Sequence, residues 1–137
     1  MTLTVYHSAT ETSKVGHSFR VLIVEDQPEI SDLLAEVLEP LGLEPFVARD
    51  GLEAMELVQS VKPDLITLDL NLPLKDGRSV LRDLASNPAT CAIPIVIVSA
   101  CCGEFIPDGQ VVEVLPKPFE VTDLIDAVIA VVESGAN

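Results

Sequence analysis

The chain of 137 residues is long enough for one domain with a full hydrophobic core that needs neither disulfides nor a structural metal. Its net charge of −14, from 22 acidic and 8 basic residues, argues against direct nucleic-acid binding and favours divalent cations and basic protein surfaces as partners. No apolar run approaches the roughly 18 residues of a membrane-spanning helix, and the first 19 residues lack a secretory signal, so we expect a cytoplasmic protein without membrane contact.

Apolar strands and helical patterns alternate along most of the chain. Residues 1–18 are polar, without periodicity, and are predicted to form a mobile N-terminal tail. The predicted strands are residues 20–24, 44–48, 65–69, 93–99 and 111–115, and the predicted helices begin at Pro28, after the capping residue Asp50, at Arg78 and at Val121. Right-handed crossovers between these units predict a three-layer, doubly wound α/β domain over residues 19–134, with residues 135–137 as the C-terminal end.

The connection between the fourth and fifth strands is shorter than a crossover needs. Residues 101–110 include Gly103, Pro107 and Gly109. A parallel crossover with its helix takes about 10–12 residues, and a proline inside a helix breaks it. We expect at most one helical turn there. The three cysteines, Cys91, Cys101 and Cys102, lack zinc-ligand spacing. They are expected to be reduced and buried.

Three predicted strands stop at charged residues. The first stops at Glu25 and Asp26, the third at Asp69, and the fifth just before Lys117. In an open parallel sheet, strand ends of one polarity share an edge, and ligands bind there. Three acids and one lysine should therefore meet in one cleft, with the Ser99 hydroxyl at the end of the fourth strand.

Carboxylates that share a cleft repel each other unless a cation joins them. Mg²⁺ is the expected cation, because it prefers oxygen ligands and is typically held by one or two carboxylates plus phosphate. Lys117 would supply a second positive charge for a phosphoryl group, and an aspartate such as Asp69 can itself be the nucleophile and form an acyl phosphate. The group is therefore suited to phosphoryl transfer.

Four segments at strand ends carry a family resemblance: Val24-Glu25-Asp26, Asp69-Leu70-Asn71-Leu72-Pro73 with Asp76-Gly77, Val98-Ser99-Ala100, and Lys117-Pro118-Phe119. In this order, the chain resembles the receiver domain of two-component response regulators over about residues 19–134. The resemblance implies a flavodoxin-like fold, a five-stranded parallel sheet of order 2-1-3-4-5, here with the fourth helix shortened or absent. It also implies a cis peptide bond between Lys117 and Pro118.

By this resemblance, Asp69 accepts a phosphoryl group from the phosphohistidine of a sensor histidine kinase or phosphotransfer protein. Asp26 and Asp69 would bind Mg²⁺ directly, Glu25 through water and Asn71 through its backbone carbonyl. Ser99 and Lys117 would bind the phosphoryl oxygens. The protein would be a phosphoacceptor with at most slow self-dephosphorylation rather than an enzyme.

The chain departs from the family at Val114, where receivers usually carry an aromatic residue, and in the short 101–110 segment. Phosphorylation is expected to order that segment as a loop. The chain would be either a stand-alone receiver or a fragment of a larger regulator. Its target and its oligomeric state are not specified by the sequence.

Two other readings stay open. A receiver-like module that acts only by protein interaction is compatible with Val114. An aspartate-nucleophile phosphatase of the haloacid-dehalogenase type needs a second acid two residues after the nucleophile, where this chain has Asn71, and a cap domain for which there is no room. Phosphate incorporation from a small acyl-phosphate donor distinguishes the three, because only a receiver becomes labelled and stays labelled for a time.

Overall fold

The computed structural model describes residues 18–100 and 107–135, in which five strands alternate with four α-helices. The strands are β1 (Phe19–Val24), β2 (Leu43–Ala48), β3 (Leu65–Leu68), β4 (Ile95–Ser99) and β5 (Val111–Pro116). The helices are α1 (Pro28–Leu38), α2 (Gly51–Val61), α3 (Gly77–Ser86) and α4 (Val121–Gly135), with a 3₁₀ turn at Glu39–Leu41.

The strands form one parallel sheet in the order β2-β1-β3-β4-β5, which confirms the predicted flavodoxin-like fold class. The central strand β1 pairs with β2 on one side and with β3 on the other, and Val24 lies opposite both Ala48 and Leu68. The chain reverses its direction of winding at β1. In such sheets the crevice at the carboxyl ends beside the reversal is the usual ligand site.

Each face of the sheet is covered by two helices. One apolar cluster joins the sheet to α1 and α4 through Leu34, Leu38, Leu124 and Val128. A second cluster joins the opposite face to α2 and α3 through residues that include Ala54, Val58, Val80 and Leu84. The central strands β1, β3 and β4 are buried on both faces, which explains their continuous Val, Ile and Leu runs. In the described ranges, none of the helices has the length and hydrophobicity needed to cross a bilayer.

Most helices and strands begin and end within one or two residues of their predicted bounds. Asp50 caps α2 as predicted, and its Oδ1 accepts the N–H of Glu53 at 2.8 Å. Leu52 lies in the first turn of this helix but is 53% exposed, because the face that packs is formed by smaller residues such as Ala54. The predicted burial of Cys91 is wrong, since this thiol is exposed.

The connection between β4 and β5 is described only from residue 107 onward. Residues 107–110 contain no helix; they form a turn with Gly109 at φ 57° and a bridge between Asp108 and Val111. Residues 101–106 lie outside the described ranges, so the predicted ordering of this loop on phosphorylation and the predicted burial of its two cysteines stay predictions. Residues 1–17 of the predicted tail also lie outside the described ranges, which begin at Ser18.

One polar group in the core is expected to cost stability. The side chain of Thr67 in β3 is buried, and its hydroxyl has no hydrogen-bond partner within the described part of the chain. A buried hydroxyl without a partner is unfavourable, so we expect Thr67→Val to raise the free energy of unfolding by about 1 kcal/mol. Urea denaturation followed by circular dichroism measures this change in a chain that has no tryptophan.

Thr90→Val is the matched control for this prediction. The Thr90 hydroxyl is also buried, but it donates to the carbonyl of Leu84 at 2.7 Å, so its removal should lower stability. A loss of stability in both variants would contradict the assignment of Thr67 as an unsatisfied group.

Candidate functional site

Two buried acids lie side by side where β1 and β3 end. The backbone N–H of Glu25 donates to the carbonyl of Ala48 at 2.9 Å, and that of Asp69 donates to the carbonyl of Val24 at 3.0 Å. Both side chains are almost fully buried, whereas the neighbouring Asp26 is exposed. One carboxylate oxygen from each of the three acids lies within 4.8 Å of the others. The sheet thus brings together the three acids that the sequence places at strand ends.

The turn after Asp69 holds its carboxylate in place. The N–H of Asn71 donates to Oδ1 of Asp69 at 3.0 Å, and the N–H of Gly77 donates to the carbonyl of Leu70 at 2.9 Å. A Cβ atom at Gly77 would lie 2.5 Å from the Asp69 carbonyl oxygen, so a side chain there would displace the backbone of the site. Asp76 then caps α3 by accepting the N–H groups of its first turn.

The outer part of the same turn is packed against α2 but exposes one leucine. A Cβ atom at Gly51 would come within 1.8 Å of the carbonyl oxygen of Lys75, so α2 begins directly against this turn. Leu74 has φ 69° and is 77% exposed. A positive φ is unfavourable for a residue with a branched side chain, and the described contacts give no physical reason for a leucine at this position.

The ammonium group of Lys117 makes three hydrogen bonds at the site. Its Nζ donates to Oε1 of Glu25 at 2.8 Å, to Oδ2 of Asp69 at 2.9 Å and to Oε1 of Gln27 at 3.3 Å. The lysine side chain is only 12% exposed. An ammonium has three N–H donors, so these acceptors can use all of them. The predicted meeting of Lys117 with the acids is therefore present in the structure.

Ser99 and Lys117 are linked through the backbone. Ser99 is fully buried at the end of β4, and its carbonyl accepts the N–H of Lys117 at 3.1 Å. The bond between Lys117 and Pro118 is cis, as the resemblance implies. Val114 lies opposite Ile97 in β4 and is half-buried against the α2–α3 face of the core.

Burial and charge act in opposite directions on the two members of the ion pair. Burial raises the pKa of Glu25, and the hydrogen bond and charge of Lys117 reduce this rise without cancelling it. Burial alone would lower the pKa of Lys117, but the hydrogen bonds and charges of Glu25 and Asp69 outweigh it and raise that pKa. Three carboxylates face one ammonium, so the site keeps an excess of negative charge and attracts a further cation.

Gln27 belongs to the site although the sequence analysis did not select it. It occupies the N-cap position of α1, where its side chain makes no capping hydrogen bond, and its Oε1 accepts from Lys117 instead. Short residues such as Ser, Thr, Asp and Asn usually fill this position. In the sequence, Gln27 is marked by its position, since it carries a longer amide side chain just before Pro28 and follows two predicted site acids.

The ion pair predicts a pH-dependent loss of stability in Lys117→Met. Without the lysine, the pKa of Glu25 should rise further, because the hydrogen bond and the charge of Lys117 that lower it are lost. A carboxyl whose pKa is higher in the folded than in the unfolded protein loses folding free energy as pH rises between the two values. The variant should thus be close to wild type at pH 5 and less stable by about 1–3 kcal/mol at pH 8.

Urea unfolding in EDTA at the two pH values measures this difference, with Lys62→Met as the control because Lys62 is exposed. An equal deficit at both pH values would show that lost packing, rather than charge, explains the change.

Most of the chain is similar to known proteins. The family model of the response regulator receiver domain matches residues 21–129. The DNA-binding dual master transcriptional regulator RpaA of Synechocystis sp. is 36% identical over 116 residues, which are 81% of this chain and 48% of that protein. Response regulator Rcp1 of the same organism is 42% identical over 93 residues, which are 61% of this chain and 63% of that protein.

Solved structures share the fold over a similar extent. The receiver domain of the Francisella response regulator 1452 superposes with a TM-score of 0.76 at 28% identity, over 84% of this chain and 97% of that one. The chain spans about half to two thirds of the length of the two Synechocystis proteins.

Proposed function

This chain belongs to the response regulator receiver-domain family, and we propose that Asp69 accepts a phosphoryl group from the phosphohistidine of a sensor histidine kinase or phosphotransfer protein. The observation that supports this most is the Lys117 ammonium, 2.9 Å from Oδ2 of Asp69 and beside two further acids. Phosphoryl transfer depends mainly on positioning and on neutralising charge, and this arrangement supplies both.

The three acids fit a hard divalent cation such as Mg²⁺. Such an ion prefers oxygen ligands, retains several waters and is usually held by one or two protein carboxylates. In the proposal, Asp26 and Asp69 would hold Mg²⁺ directly, Glu25 through water and Asn71 through its backbone carbonyl. Asp26 is exposed and so is open to a hydrated ion. When bound, the ion neutralises negative charge on the acids and on the phosphoryl oxygens.

The transfer itself is a substitution at phosphorus. A carboxylate oxygen of Asp69 forms a bond to phosphorus while the phosphorus–nitrogen bond of the donor breaks, and the imidazole keeps the electron pair. The product is an acyl phosphate on Asp69. Lys117 can exchange its hydrogen bond to Asp69 for one to a phosphoryl oxygen, whereas Ser99 needs a shift of the end of β4, because it is fully buried.

The proposed unit comprises a tail over residues 1–18, the receiver over residues 19–134 and a short end at residues 135–137. It acts as a phosphoacceptor with at most slow self-dephosphorylation, in the cytoplasm. The DNA binding stated in the name of RpaA is a property of that protein, and the net charge of −14 argues against it here.

The acceptor assignment predicts that Asp69→Asn abolishes labelling. The amide has nearly the shape of the carboxylate but is not a nucleophile, so the variant should fold and incorporate no hydroxylamine-sensitive phosphate from acetyl phosphate and Mg²⁺. Asp126→Asn, an exposed change on α4, should label like wild type. Persistent hydroxylamine-sensitive labelling of Asp69→Asn would place the acceptor elsewhere. A wild-type protein that takes no label would favour an interaction module.

The metal assignment predicts that Asp26→Ala abolishes Mg²⁺-dependent labelling while the fold is kept. Removal of one of three close carboxylates relieves repulsion, so the free energy of unfolding in EDTA should not fall. Labelling assays across a range of Mg²⁺ concentrations, paired with urea denaturation, measure the two effects. Labelling of Asp26→Ala at the wild-type rate and Mg²⁺ dependence would contradict the assignment.

A further inference from the structure

Among the described residues, the Lys117 ammonium has three acceptors, and one of them is neutral. Glu25 and Asp69 are carboxylates that belong to the acidic cluster, whereas Gln27 offers an amide oxygen at 3.3 Å. The contact bridges residues 90 positions apart in the chain, at the ends of β1 and β5. It therefore connects the lysine to the start of α1 independently of the carboxylates.

The backbone of Gln27 is fixed on both sides. Its N–H donates to Oε2 of Glu25 at 3.2 Å, and its carbonyl accepts the N–H groups of Ile30 and Ser31 in the first turn of α1. Its side chain makes no capping bond. Gln27 thus contacts both members of the Glu25–Lys117 pair, and its side-chain amide extends to the lysine from a rigid base.

We propose that Gln27 is a positioning residue that keeps the Lys117 ammonium at the phosphoryl site while its carboxylate partners change. This inference rests on the proposed function. When Asp69 becomes an acyl phosphate, one of its oxygens is bonded to phosphorus. The carboxylate oxygens of the acids, including those that accept from Lys117, would also be ligands for a divalent cation. A neutral amide oxygen is affected least by these changes, and it does not compete with the phosphoryl group through a full charge.

The test compares three Gln27 variants with one control. Gln27→Met has a similar length and no acceptor, Gln27→Asn keeps a shorter amide, and Gln27→Glu keeps the acceptor but adds a charge. Gln59→Met is the control, because Gln59 is an exposed glutamine on α2. Gln27 is also exposed, so all four proteins should fold.

The first measurement is direct: hydrogen exchange of the Lys117 ammonium by nitrogen-15 NMR in metal-free protein. Exchange should be faster in Gln27→Met than in wild type or in Gln59→Met, because one of three acceptors is lost. The second is labelling by acetyl phosphate with Mg²⁺ at saturating donor. Gln27→Met should be slower by about two- to tenfold, the effect of losing one hydrogen bond, with partial recovery in Gln27→Asn.

Gln27→Glu separates a neutral acceptor from a charged one. Gln27→Glu should slow exchange of the ammonium protons. It should also slow labelling, because the new carboxylate competes with the phosphoryl group for the Lys117 ammonium. Labelling faster than wild type would overturn the argument from neutrality. Wild-type labelling of Gln27→Met, or slower labelling with an unchanged Lys117 signal, would overturn the positioning role. If the wild-type protein takes no label, the acceptor function itself is refuted. In that case the NMR measurement still tests the contact between Gln27 and Lys117, because unchanged ammonium exchange in Gln27→Met would refute it.

Discussion

The Lys117 ammonium lies between Glu25 and Asp69 at hydrogen-bond distance from both, so charge ties the end of β5 to the ends of β1 and β3. The two acids are placed by the backbone ladder itself, through the N–H groups that extend the pairing of β1 with β2 and β3. Without a cation, such buried carboxylates would repel each other. The lysine therefore stabilises the folded state as a counter-ion, apart from any role in phosphoryl transfer.

Strand ends are the part of this site that sequence predicts well. Apolar runs fix where each parallel strand stops, and the parallel order then brings Glu25, Asp69 and Lys117 to one edge whatever the details of packing. The fold class follows from the same alternation of strands and helices. Asp50, at the start of α2, also follows a local rule, since it caps that helix as predicted.

Side-chain direction is the part that sequence does not predict. The contact of Gln27 with Lys117 depends on how α1 starts relative to β5, which no local pattern encodes. Leu52 has the hydrophobicity of a core residue but lies outside the packed face of α2, which smaller residues such as Ala54 form. Leu74, exposed at a positive φ, follows neither a packing rule nor a backbone preference.

The order of the site residues along the chain has a consequence for assembly. All three acids and Gln27 precede residue 100, whereas Lys117 arrives with β5 and α4 from the later part of the sequence. A backbone cut between residues 101 and 106 would divide the receiver into a fragment with the excess acids and a fragment with their cation. Pairing of β5 with β4 and attraction to Lys117 would both favour reunion. The segment between β4 and β5 is thus a suitable place to divide the chain into two fragments that complement each other.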